Sequence, residues 1–91
     1  LKTIKLDRIH FSFLDAQHDY DNLNYELNIV KKNQHKNDVI ICDDYTIYNN
    51  GQFQYEGIIK AIDNFSGYHK KIYYGEDGEK KRGYVYFSKI N

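Results

Sequence analysis

Asp38-Val39-Ile40-Ile41-Cys42-Asp43-Asp44-Tyr45 reads as one β-strand that runs straight into two acids. Its apolar run is unbroken, which is the mark of a strand covered on both faces in a parallel sheet. Upstream, Ile4 and Leu6 lead into Ile9-His10-Phe11-Ser12-Phe13-Leu14, a second run of strand length, and it too stops at an acid, Asp15. Between the two runs Tyr20, Leu23, Leu27 and Val30 recur at helical spacing through Lys32, with Asp19 or Asp21 placed to cap the helix. Asn22, Glu26, Lys31 and Asn33 make its solvated face. A strand, a helix and a strand of these lengths form a βαβ unit, whose crossover should be right-handed. Ligands of open α/β sheets bind outside the carboxyl ends of the strands, which is where Asp15 and Asp43 would stand.

Downstream, Tyr45 to Tyr55 is expected to be a loop, rich in Tyr, Phe and Asn around Gly51, and placed where a lid over a site would lie. Glu56 to Phe65 predicts a second helix, with Ile58, Ile59, Ile62 and Phe65 on its buried stripe and Gly67 as its stop. Lys71–Tyr74 and Gly83–Lys89 predict two closing strands. The connection from Gly75 to Lys81, containing Asp77-Gly78, reads as a hairpin loop. The element order is β-α-β-α-β-β, parallel at first and antiparallel at the end.

The totals narrow the function classes. The 91 residues are expected to be one partial domain, since the chain starts at Leu1 and contains no methionine. Lys+Arg 13 against Asp+Glu 13 gives no bulk electrostatic case for nucleic acid or an anionic membrane. No apolar run approaches the roughly 20 residues needed to span a bilayer. The lone Cys42 excludes an internal disulfide and fits a reducing, cytoplasmic location; inside an apolar strand it reads as a small buried hydrophobe. His10, His35 and His69 show no metal-ligand spacing.

Three motifs carry a family resemblance. Asp15-Ala16-Gln17-His18-Asp19-Tyr20, Asp43-Asp44-Tyr45 and Gly57-Ile58-Ile59-Lys60-Ala61-Ile62-Asp63-Asn64-Phe65 occur in that order. Together they resemble the carboxyl half of class I S-adenosylmethionine-dependent methyltransferases, in particular the small-molecule O-methyltransferases that include the macrocin O-methyltransferase and cephalosporin-hydroxylase-like groups. The resemblance implies a Rossmann-like half-fold with its fourth, fifth, seventh and sixth strands side by side. It implies that Asp15, Asp43 and Asp44 hold a divalent cation, Mg²⁺ by expectation. It further implies that Asp15 and Ala16 border the S-adenosylmethionine site, that His18 and Asp15 act in catalysis, and that Tyr45 touches a small hydroxylated substrate. Ala16 stands where the family usually has glycine, and His35-Lys36-Asn37-Asp38 replaces the usual Pro-Gly-Gly turn. The glycine-rich cofactor loop of such enzymes belongs to strands that precede the ones seen in this sequence.

Two other classes compete. Arg82-Gly83-Tyr84-Val85-Tyr86-Phe87 partly echoes the aromatic signature of RNA-recognition domains, but Val85 and Lys89 depart from it and the neutral charge argues against RNA. A non-catalytic α/β fragment or interaction module is the alternative function, with a homo-oligomer or another chain pairing along the first strand's exposed edge.

Overall fold

A computed structural model describes residues 8–15 and 19–91. The expected leads Ile4 and Leu6, and the motif residues Ala16 and His18, lie outside the described residues. The element order is β1 (Phe11–Leu14), α1 (Tyr20–Lys32), β2 (Val39–Cys42), β3 (Ile47–Tyr48), α2 (Glu56–Asn64), β4 (Tyr68–Asp77) and β5 (Lys80–Lys89). The chain is a small α/β domain with a mixed five-stranded sheet and two helices.

Strand β1 pairs in parallel with β2, Phe11 opposite Val39 and Leu14 opposite Cys42. Strand β2 is antiparallel to the carboxyl half of β5, and β4 lies along the other side of β5. Because β4 takes one whole edge of β5, the short β3 shares the edge used by β2 and joins β5 at Lys80 and Lys81. The pairing of first with second, second with last, and last with penultimate strand follows the order expected from the sequence.

Of the two acids that could cap helix α1, Asp19 takes the role and Asp21 falls in the first turn. The Asp19 carboxylate accepts from the Asn22 amide at 2.8 Å, satisfying one of the free N–H groups of the first turn. Its carboxyl end is closed by Lys89, whose Nζ donates to the carbonyls of Lys31 and Gln34. Helix α2 lacks a side-chain cap at Tyr55, and Lys70 closes its far end by donating to the Ile62 carbonyl at 2.7 Å. Burial at that post lowers the Lys70 pKa.

Both helices lie on one face of the sheet. Leu23, Leu27 and Val30 from α1 meet Ile58, Ile59, Ala61 and Ile62 from α2 over Ile40, Cys42, Val85 and Phe87. The register puts these four strand residues on a common side, since Ile40 faces Phe87 and Cys42 faces Val85. Burial lifts the Cys42 thiol to about 12, so it packs as a hydrophobe. The opposite side carries Phe11, Phe13, Val39, Ile41, Tyr73, Tyr84 and Tyr86, and no helix or strand among the described residues covers it. This corrects the expectation that β2 is covered on both faces: Ile40 and Cys42 are buried, whereas Val39 and Ile41 are only partly so.

The closing hairpin also departs from expectation. Residues 75–77 and 80–81 are not loop but strand, joined by a two-residue turn at Gly78 and Glu79 with Gly78 at φ +63°. Hydrophobic alternation is weak here, yet Glu76 faces Lys81 and Asp77 faces Lys80. Opposite charges directly across an antiparallel pair stabilise it where no core exists.

At the amino end of β2 a different acid is fully committed to the fold. Asp38 accepts Arg8 Nε at 3.0 Å, Arg8 Nη2 at 2.7 Å and the His35 amide at 2.7 Å. The Arg8 guanidinium first, then the His35 amide, hold this carboxyl well below the usual carboxylate range. A depressed folded-state pKa contributes stability above the unfolded value near 3.9 and loses it as pH falls below that. Denaturant melts between pH 6 and 2 should therefore show an acid-side loss that Asp38→Asn flattens, at the cost of lower stability at pH 6. Parallel profiles for the two proteins would contradict the assignment.

Candidate metal centre at the strand tips

The parallel register of β1 and β2 brings their last residues level, and the chain continues that match one step further. The Asp43 amide donates to the Leu14 carbonyl at 3.2 Å, so Asp15 and Asp43 leave the sheet side by side. One carboxylate oxygen from each of Asp15, Asp43 and Asp44 lies within 4.8 Å of the others. Asp15 is exposed, and the other two are half-buried.

Two local devices aim the pair from β2. Asp44 has φ +70°, a left-handed backbone that aspartate tolerates better than most residues. The Asp44 amide donates to Asp43 Oδ1 at 2.7 Å, which holds the Asp43 carboxylate against the turn. The next residue is then pinned to the sheet: the Tyr45 amide donates to the Gly83 carbonyl at 3.1 Å, and the Gly83 amide reaches Thr46 Oγ1 at 3.4 Å. A β-carbon at Gly83 would stand 1.7 Å from the Tyr45 carbonyl oxygen, so this close approach of two backbones requires glycine.

The structure also brings a cation to the site from the closing hairpin. Arg82 Nη2 stands 3.7 Å from Asp43 Oδ2. Nothing in the local pattern Lys80-Lys81-Arg82 distinguishes the third cation from the first two. Its role depends on the pairing of β5 with β2, which is a tertiary fact.

Tyr45, the expected substrate contact, turns its ring into the core. Its hydroxyl donates to Asp63 Oδ1 at 3.0 Å, and Phe53 packs edge-on at 5.7 Å between ring centres. Burial, then the Asp63 carboxylate, push its pKa up to about 12. In this position Tyr45 joins the strand-end loop to α2, and a contact with substrate would require its hydroxyl to leave Asp63. The expected lid between Tyr45 and Tyr55 is in part a strand: β3 lies on β5, Ile47 bridges to Phe53, and the Asn49 amide donates to the Glu79 carbonyl at 3.0 Å. Tyr48 and Phe53 remain exposed there.

The donor set is chemically uniform. Three carboxylates offer hard oxygens suited to Mg²⁺, Ca²⁺ or Mn²⁺ and unsuited to soft metals. Oxygens on opposite sides of Ca²⁺ stand about 4.6–5.2 Å apart, and those around Mg²⁺ about 4.0–4.2 Å. With their oxygens within 4.8 Å of one another, the three acids can gather one such ion through small side-chain movements. The mutual repulsion of three like charges is what such an ion would relieve.

Among the described residues no helix is long and apolar enough to cross a membrane. In comparison with known proteins, no family model and no curated protein matches this chain.

Proposed function

We propose that Asp15, Asp43 and Asp44 hold a divalent cation, and that the chain forms the carboxyl half of an S-adenosylmethionine-dependent domain that methylates a hydroxyl of a small molecule. The observation that carries the first part is the convergence of three carboxylates from two neighbouring parallel strand tips. The methyl-transfer part is supported by the three ordered motifs that resemble the O-methyltransferases.

Asp15 and Asp43 would fix the ion from two strands, and the Asp43 to Asp44 turn would supply the third oxygen. A bound cation lowers the charge on a substrate alkoxide and sets its place relative to the methyl donor. The Tyr45–Gly83 pairing anchors the strand-end loop that carries Asp43. His18, in the motif after β1, would be the residue to take the hydroxyl proton.

A second reading has one specific observation in its favour. Arg82 already sits beside Asp43, and Asp43 already binds the Asp44 amide, which is how a purely structural acid is held.

Titration calorimetry with MgCl₂, MnCl₂ and CaCl₂ separates the two. Binding of one ion per chain is expected, weakened at least tenfold by Asp15→Asn or by Asp43→Asn with the circular dichroism unchanged. Arg82→Ala should tighten binding several-fold by removing a competing cation. A chain that takes up none of the three ions at millimolar concentration leaves the structural reading standing. For methyl transfer, a polypeptide that also carries a glycine-rich cofactor loop should lose metal-supported turnover with Asp43→Asn, and metal-independent turnover would reject the role.

A further inference from the structure

The side of the sheet turned away from the helices has a composition that an isolated monomer rarely exposes. Phe11 and Phe13 are 57% and 51% exposed, Tyr73 50%, Tyr86 39% and Tyr84 36%. The register puts them on one surface: Phe13 stands opposite Ile41, Ile41 opposite Tyr86, and Tyr73 opposite Tyr84. An apolar band of Phe13, Ile41, Tyr86, Tyr84 and Tyr73 therefore crosses from β1 through β2 and β5 to β4. Lys71 on β4 lies beside Tyr86, and Arg82 follows Tyr84 at the end of the patch.

We propose that this face packs against the same face of a second copy of the chain, forming a twofold dimer of two stacked sheets. Three observations favour a second copy over another occupant. A gently twisted sheet face is self-complementary: two such faces stack about 10 Å apart with strands roughly 30° from alignment. The formal net charge of zero leaves no long-range repulsion between copies. The area suffices. At about 150–250 Å² per aromatic side chain, the five exposed fractions amount to about 350–580 Å² per copy. Two copies thus bury about 700–1,150 Å² from these rings alone, and Val39, Ile41 and the strand backbones bring the total toward the roughly 1,200–2,000 Å² of a stable interface. The dimer is isologous, so each protomer contributes the same residues. The interface uses none of the three acids at the strand tips, although Arg82 at its edge stands beside Asp43.

Sedimentation equilibrium of the 91-residue chain between 1 and 100 μM tests it. The expected result is a monomer–dimer equilibrium, weakened at least tenfold by Phe13→Lys and by Tyr86→Lys, each with helical circular dichroism retained because neither ring belongs to the core. Tyr25→Lys, on α1 and more exposed than either at 57%, should leave the equilibrium unchanged. A wild-type chain that stays monomeric at 100 μM overturns the proposal, whether or not it then binds single-stranded RNA through Tyr84 and Tyr86. So does open-ended aggregation, a dimer indifferent to both face variants, or one lost with Tyr25→Lys.

Discussion

Gly83→Val is expected to abolish the native fold at room temperature. The substituted β-carbon would fall 1.7 Å from the Tyr45 carbonyl oxygen and 2.7 Å from its carbon, distances that no rotamer change relieves because both atoms are backbone. Either β5 separates from the strand-end loop or the loop lifts off the sheet. The first breaks the Tyr45–Gly83 and Gly83–Thr46 hydrogen bonds inside a buried region. The second frees Asp43 and Asp44 from their places beside Asp15. Losses of this kind exceed about 4 kcal/mol, against a total of roughly 5–14 kcal/mol for a domain of this length. Urea melts followed by circular dichroism should show no folded baseline, or a midpoint near zero denaturant. Gly83→Ala meets the same clash and should behave similarly. A valine variant with a wild-type midpoint would mean that this backbone approach is wrongly placed.

Phe87→Ala is expected to be nearly as damaging through a different route. Phe87 is fully buried at the middle of the core, with Phe65 edge-on at 5.6 Å and Tyr68 at 6.0 Å between ring centres, and Lys70 Nζ 6.0 Å above its ring. Removing the ring leaves a cavity that both helices and two strands border, so collapse around it is limited. The expected cost is about 3–5 kcal/mol. For a chain this small, that lowers the thermal midpoint by roughly 12 °C or more. Tyr86→Ala, one residue earlier but on the bare face, should cost far less in the monomer. Equal effects at the two positions would contradict the assignment of faces.

The candidate site shows why some of it could be read early. Aspartates that end an apolar run are visible in one dimension, and the parallel arrangement of β1 and β2 follows from the helix between them. Asp15 and Asp43 could thus be brought together on paper. Arg82 could not, since its approach to Asp43 depends on which strand pairs with which, across 39 residues of chain. The inward turn of Tyr45 was equally hidden: its partner Asp63 comes from α2, and only packing decides which way the ring points.

Local periodicity determined the helices and the strand Val39–Cys42, because burial of one helical stripe or one apolar run leaves a signature in neighbouring residues, while the choice of Asp19 over Asp21 as cap came from the structure. Only the tertiary structure decided the length of the β4–β5 hairpin, the existence of β3, the gap at Gly83 and the bareness of one sheet face. Each of these is a relation between segments distant in the chain. Charge pairs across a hairpin, a backbone-to-backbone contact and a sheet face left exposed among the described residues leave no periodic trace in either partner alone.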